Sequence, residues 1–328
     1  MRAPIPRPDP RVQTFGFILL PGFALMSFAA ATEPLRAANL IAGRPLYEIA
    51  LYGEAEAALS SSGIPAPTQP LPSRGDNLAA IFVCAGGSPA DWRRPAVHQA
   101  LRRLAGEGVR IGGISGGPFV LAEAGLLKGR RFAIHWEHAP ALAEAFPDLR
   151  PERARYVIDG ARVTCGGGVA PLDLMHALIA ERMGADFARR VSDWFLHTQV
   201  EPGAGPQRAS LAERFAVHHP VLLTVLGKME ETLEAPLSLS AMARFAGVSA
   251  RHLDRLFAEH RGTRFLDDYH CLRLDHADRL LRQSALSISE IAFATGYSSS
   301  SHFTRAYRRR FGFPPSGARP RGARGAAS

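Results

Sequence analysis

A chain of 328 residues, 46% of them hydrophobic, can bury two cores and is too long for one ordinary domain. Its net charge of +9 is uneven: from Ala204 onward 18 Lys+Arg face 11 Asp+Glu, against 21 and 19 before that point, so the excess basic charge belongs to the C-terminal part. No apolar run approaches the roughly 18 residues of a membrane span, and Cys84, Cys165 and Cys271 have neither disulfide-framework nor metal-ligand spacing, which suits a reducing cytoplasm.

Residues 1–12 are basic and Pro-rich with no signal-peptide cleavage pattern, and read as a disordered tail. Thr14–Leu20 is a buried-strand run ended by Pro21-Gly22, followed by an Ala-rich helical stretch from about Ala24 to Leu40. Further strands are expected at 47–51, 79–83, 109–113, 154–158 and 162–164, and helices at 95–106, 118–124, 171–183 and 186–197. This alternation predicts an α/β domain with a mainly parallel sheet over 13–200. Glu201-Pro-Gly-Ala-Gly-Pro-Gln207 opens a linker read as 201–220. A helical domain follows over 221–320, then a second tail, 321–328.

The helical domain contains one pattern twice, LSAMARFAGVSARHLDRLFAEHRG (Leu239–Gly262) and ISEIAFATGYSSSSHFTRAYRRRFG (Ile288–Gly312). Leu239 pairs with Ile288, Gly247 with Gly296 and Ser249 with Ser298; beyond the turn the offset grows by one, so Arg255 pairs with Arg305. Each copy has a short apolar helix, a glycine turn and a Ser-capped helix, the layout of a helix-turn-helix. In the first copy Leu253, Leu256 and Phe257 face the core, while Ser249, Arg251, His252 and Arg255 sit on the opposite side. In the second Phe303 and Tyr307 anchor the helix, and Ser299, Ser300, His302 and Arg305 remain for base edges or phosphates. Arg308, Arg309 and Arg310 form a basic end. An amphipathic helix over 264–283 joins the copies.

This stretch resembles the AraC/XylS family of transcription regulators, most specifically in SISEIAFATGYSSSSHFTRAYRRRFGFPPS. The resemblance implies recognition through two helices on a rigid linker helix, with promoter DNA and RNA polymerase as partners.

In the first domain Val109–Ala122 reads as strand, tight turn, helix, with Ser115 at the apex of a nucleophile-elbow-like turn flanked by glycines. It resembles the flavodoxin-like, class I glutamine amidotransferase-like fold of the PfpI peptidase group. Active members carry Cys at the apex, commonly followed by His, and an acid after the first strand. Here the apex is Ser115, Gly116 follows, and 21–27 holds no carboxylate. No catalytic residue, cofactor or metal site is therefore assigned; a PfpI-type amidohydrolase with a nucleic-acid-binding tail is the alternative. The combination of the two domains resembles the GlxA family of regulators, through GISGGPFVLAEAGLLKGR, HWEHAP, FPDL, CGGGVAPLDLMHALIA and SDWFLHT. Within it the match leans toward regulators of carnitine, glycine betaine and related amine catabolism, a group that includes arginine-responsive members, and implies a cytoplasmic homodimer, an activator, sensing a small amine effector such as carnitine, glycine betaine, sarcosine or arginine. Phe23, Ser115, His135, Trp136 and Glu137 are the expected ligand residues: aromatic faces and a carboxylate suit a cationic nitrogen, and backbone N–H groups after Ser115 suit a carboxylate.

Overall fold

The computed structural model describes residues 11–284 and 286–319. The tail expected over 321–328 lies outside the described residues, as does all of 1–12 except Arg11 and Val12. The chain forms two compact units that divide between Gln207 and Arg208.

The first unit runs β1 (Gln13–Leu19), α1 (Leu25–Ala42), β2 (Tyr47–Gly53), three short strands β3 (Ala57–Leu59), β4 (Pro65–Pro67) and β5 (Gln69–Pro70), then β6 (Leu78–Ala85), α2 (Pro95–Gly106), β7 (Arg110–Ser115) and α3 (Gly117–Glu123). It closes with α4 (Ala139–Ala145), β8 (Tyr156–Asp159), β9 (Arg162–Cys165), α5 (Ala170–Met183) and α6 (Ala185–Trp194). Seven strands form one sheet in the order β5-β2-β1-β6-β7-β9-β8. Every pairing is parallel except β8 with β9. Strand order reverses between β1 and β6, where α/β sheets of this kind open a crevice. Alternation along β1 serves two faces: Phe15, Phe17 and Leu19 join one core with Leu174 of α5 and Val191 of α6, while Ile18 and Leu20 join the other with Val97 and Leu101 of α2.

The sequence pattern missed β3 to β5. Pro65, Pro67 and Pro70 break any alternation there, and such residues are tolerated only at sheet edges. The strand expected from 154 begins at Tyr156, because the Arg155 N–H donates to the Gly203 carbonyl at 2.8 Å. The 201–207 stretch, read as part of a linker, is thus folded onto the first unit. Its anchor is Asp173, fully buried in α5, which accepts from Arg155 Nη2 at 2.6 Å, contacts His197 Nε2 at 2.7 Å and accepts the Glu201 N–H at 3.0 Å. A carboxylate this deep needs all these partners to offset its lost hydration.

The second unit is helical: α7 (Leu211–Phe215), α8 (Pro220–Glu231), α9 (Leu239–Phe245), α10 (Ala250–Arg261), α11 (Phe265–Gln283), α12 (Ile288–Ala294), α13 (Ser300–Phe311) and α14 (Pro315–Ala318). It has two cores. Leu222, Met242, Leu253 and Phe257 pack with Phe265 and Tyr269, whereas Ile291, Phe303 and Tyr307 pack with Leu274, Ala277 and Leu280. The 19-residue α11 therefore serves both. Between its two apolar stretches Arg273 is buried; its Nε donates to the Thr295 carbonyl at 2.7 Å and its guanidinium lies 4.4 Å from the Tyr297 ring centroid.

His276 on α11 is held neutral, since burial lowers its pKa from 6.5 to about 4. The unfolded chain takes up this proton below about pH 6.5 and the folded state resists it until about 4. Stability therefore falls as pH drops through that window, by up to about 3 kcal/mol. Calorimetry of the full chain should show the second unit melting earlier between pH 7 and 4, and His276→Gln should flatten that slope; an unchanged slope would move the acid sensitivity to other groups.

Candidate functional site

The two helix-turn-helix units are α9–α10 and α12–α13, with Gly247 and Gly296 turning at φ of 70° and 73°. Ser249 Oγ caps α10 by accepting the His252 N–H at 3.1 Å, and Ser299 Oγ caps α13 by accepting the His302 N–H at 3.3 Å. Ser249 therefore corresponds to Ser299 and not to Ser298; the extra residue lies in the turn, where Tyr297 packs on Phe303 and His302. Both cap hydroxyls satisfy helix-end N–H groups, so capping is their established local role.

The structure turns Arg251, Arg255, His302 and Arg305 outward, all exposed, with His252 and Ser300 half-buried. The two helices differ in electrostatics. Arg255 is tied to Glu259 at 2.7 Å and to His252 Nδ1 at 2.9 Å, and the Ser300 hydroxyl donates to Ser289 at 2.9 Å. Arg305 has no ion pair among the described residues. Arg310 is drawn out of the expected basic end by Asp275, 2.6 Å from its Nη2, which leaves Arg308 and Arg309 exposed there. Helix α13 carries four arginines and no acid, whereas α10 carries Asp254 and Glu259.

In the first unit Ser115 ends β7 at φ 60°, a left-handed conformation that non-glycine residues rarely adopt, which is the backbone of an elbow. The turn depends on missing side chains. A Cβ on Gly116 would lie 2.2 Å from the Trp92 ring, and one on Gly117 would lie 2.1 Å from the Val83 carbonyl oxygen. Gly167 closes over the apex, where a Cβ would stand 2.8 Å from Ser115 Cβ. Ser115 is accordingly buried. The first backbone donor expected for a ligand carboxylate, the Gly116 N–H, is used by the Ala85 carbonyl at 3.0 Å.

His135, Trp136 and Glu137 are half-buried. The His135 N–H donates to the Ser115 carbonyl at 3.3 Å, which places the segment beside the elbow. Burial pushes the His135 pKa down, more than the Glu137 charge raises it, so the imidazole is neutral at pH 7 and its Nδ1 accepts the Glu137 N–H. Rings run from Trp136 to His135 (5.5 Å between centroids), to His138 (5.6 Å) and to Trp92 (5.0 Å), which reaches Gly116. Phe23 does not serve as expected; it is fully buried, edge-on to Phe28 in the core. Cys84 and Cys165 are also fully buried, with burial pushing both thiols upward, Cys165 to about 12, so neither is a reactive thiolate.

Sequence reasoning missed Gln207. Its Oε1 accepts the Trp136 N–H at 2.8 Å and its Nε2 donates to the Ile134 carbonyl at 2.9 Å and to the Ala154 carbonyl. A lone glutamine in a Pro/Gly stretch carries no sequence signal. Asp173 did carry one, as an acid set within the apolar first turns of α5.

Tandem helix-turn-helix units with exposed arginines, joined in one chain to an elbow-type α/β domain, define a DNA-binding transcription regulator. A helix-turn-helix domain family model matches residues 242–321 and the DJ-1/PfpI family model matches 74–181. The chain is 62% identical to the HTH-type transcriptional regulator GlxA of Rhizobium meliloti, over 94% of this chain and 96% of that one. It is 41% identical to the regulator CdhR of Pseudomonas aeruginosa, over 93% and 90%. A solved AraC family regulator from Pseudomonas putida matches with TM-score 0.52 and 25% identity, over 56% of this chain and 99% of its own. The chain belongs to the GlxA-type AraC family of transcriptional regulators, in which a DJ-1/PfpI-type domain precedes the DNA-binding domain. No described helix is long and apolar enough to cross a membrane.

Two predictions follow from this geometry. Arg305→Ala should weaken operator binding by about 1–3 kcal/mol, and Arg255→Ala, whose charge Glu259 already offsets, by less than about 1 kcal/mol. Fluorescence anisotropy across a salt series measures both, and the opposite ranking would place the stronger contact on α10. Gln207→Ala strips three backbone polar groups of their partner, two of them at the buried Ile134 and Ala154, and should destabilise the first unit by about 2–4 kcal/mol, read by denaturant unfolding of the full chain.

Proposed function

We propose that this regulator reads promoter DNA through α10 and α13 and changes its occupancy or its contact with RNA polymerase when the first unit binds a small amine metabolite. The observation that carries the DNA reading is the mounting of both Ser-capped helices on α11. Its 19 residues span about 28 Å, near the ~34 Å repeat of B-DNA, so the helices can enter successive major grooves. Arg251, Arg255, His302 and Arg305 make the side-chain contacts, and Arg308 and Arg309 neutralise phosphates. Ser249 and Ser299 orient the helix ends, and His252 and Ser300 flank them.

The effector is a zwitterion with a cationic nitrogen, of the carnitine, glycine betaine, sarcosine or arginine kind, held against Trp136, His135 and Glu137 beside Ser115. A neutral His135 leaves Glu137 as the counter-charge. The regulator acts as a cytoplasmic homodimer and activator: the effector must bind one dimer arrangement better than another. A hydrolase reading has little to stand on. The Ser115 hydroxyl meets no hydrogen-bonding base among the described residues and lies under Gly167.

Glu137→Gln keeps size and removes charge. It should raise the effector concentration needed for promoter activation about tenfold or more, while operator binding without effector stays at the wild-type value. Titration of a promoter-reporter strain together with anisotropy on purified protein tests this, and a wild-type titration curve would remove Glu137 from the site.

A further inference from the structure

Strands β3 and β4 pair antiparallel as a hairpin of their own, and a cavity of about 220 Å³ opens where the C-terminal ends of β1 and β2 meet this hairpin and the start of α2. None of the five residues expected from the sequence to bind ligand lines it. Its walls are apolar: Ile18 and Leu20 from the end of β1, Ala58 from the hairpin and Val97 from α2. Its polar side is the ion pair of Glu54 with Arg94, 3.4 Å apart, with side chains 34% and 36% exposed, together with Thr68, whose hydroxyl is already taken by the Ala55 carbonyl. The only other bond to the Arg94 guanidinium among the described residues is a long one, 3.3 Å from Nε to the Asp91 carbonyl. A pair this exposed and this loose gains little from itself and is readily exchanged for a charged ligand. An apolar chamber with a few convergent polar groups is the general form of a small-molecule site.

We infer that this cavity is a second small-molecule site, for an amphoteric solute with a short aliphatic body, of the aliphatic α-amino acid class. The ligand ammonium pairs with Glu54 and its carboxylate with Arg94. These two charges sit on adjacent carbons in such a molecule, a spacing suited to a carboxylate and a guanidinium already 3.4 Å apart. The aliphatic chain lies against Ile18, Leu20, Ala58 and Val97. The site has a physical route to the elbow. The hairpin that walls it also holds the switch-point loop: the Gly22 N–H donates to the Leu59 carbonyl at 2.7 Å and the Ser61 N–H to the Phe23 carbonyl at 2.8 Å. That loop in turn packs on Gly86, where a Cβ would stand 2.4 Å from the Gly22 carbonyl oxygen. The inference stands whether or not the 135–137 segment holds the effector.

Isothermal titration of the full chain with L-leucine, 4-methylpentanoate and 3-methylbutylamine tests it. Leucine should bind saturably at one site per chain, and each single-charge analogue should bind at least about tenfold more weakly, because one member of the ion pair is then left unmatched. Ala58→Phe fills the chamber and should abolish leucine binding. Glu54→Gln, at a half-exposed position, should weaken it about tenfold with the melting temperature of the free protein unchanged, so the answer does not depend on the packing variant folding. Three results would overturn the inference: no heat of binding with leucine at millimolar concentration, analogues that bind as well as leucine, or leucine binding that survives both Ala58→Phe and Glu54→Gln.

Discussion

One helix serving two hydrophobic cores is the constraint on which the DNA-binding unit depends. Helix α11 gives Phe265 and Tyr269 to the first helix-turn-helix and Leu274, Ala277 and Leu280 to the second. Neither half can be packed without fixing the axis for the other. Polar contacts then set rotation about that axis. Arg273 holds the second turn through Thr295 and Tyr297, the Tyr307 hydroxyl donates to Asp278, and Arg310 meets Asp275. A charged side chain as buried as Arg273 is costly unless paired, and here a carbonyl and an aromatic face supply the pairing. The spacing of the two recognition helices is thereby set by one continuous hydrogen-bonded helix instead of by loop conformation.

The first unit rests on the opposite device, the removal of side chains. Around Ser115 the backbone of β7, the loop after β6 and the Gly166–Gly168 loop approach so closely that Gly116, Gly117 and Gly167 admit no Cβ without displacing a ring, a carbonyl or the serine itself. Once the apex is sealed in this way the elbow is a structural joint. Beside it stands the 135–137 segment, from which aromatic rings run through His138 back to Trp92.

Much of this was legible in the sequence. The alternation of strand-like and helix-like runs placed β1, β2, β6, β7 and β9 and put α2 at its observed bounds; the signal is plainest in the central strands β1, β6 and β7, whose buried stretches are written as largely apolar runs. The repeat 239–262 and 288–312 placed both helix-turn-helix units, since capping serines and turn glycines are strictly local requirements. What escaped was non-local. The β3–β4 hairpin is a separate two-stranded sheet, defined by its pairing and not by its composition. The displaced cap at Ser299 needed the turn geometry around Tyr297, as four consecutive serines are equivalent on paper. Phe23, read as a pocket residue, packs into the core, and no pattern distinguishes the two uses of an aromatic after a strand. The partner of Arg310, 35 residues away at Asp275, likewise depends on which acid the fold brings near, whereas Glu259 stands one helical turn from Arg255 and is a local pairing.

Gln207 has a consequence beyond its three hydrogen bonds. It is the last residue of the first unit, and Arg208 opens the second. The peptide that enters the DNA-binding unit is therefore moored, through one amide side chain, to the backbone of Trp136 and Ile134 beside the elbow. A displacement of that segment has only a single residue to cross before it becomes a displacement of the chain leading to α7. Long flexible linkers dissipate such movements as entropy. A mooring at the boundary leaves no such slack on the side of the first unit, because its backbone is held up to its last residue, Gln207.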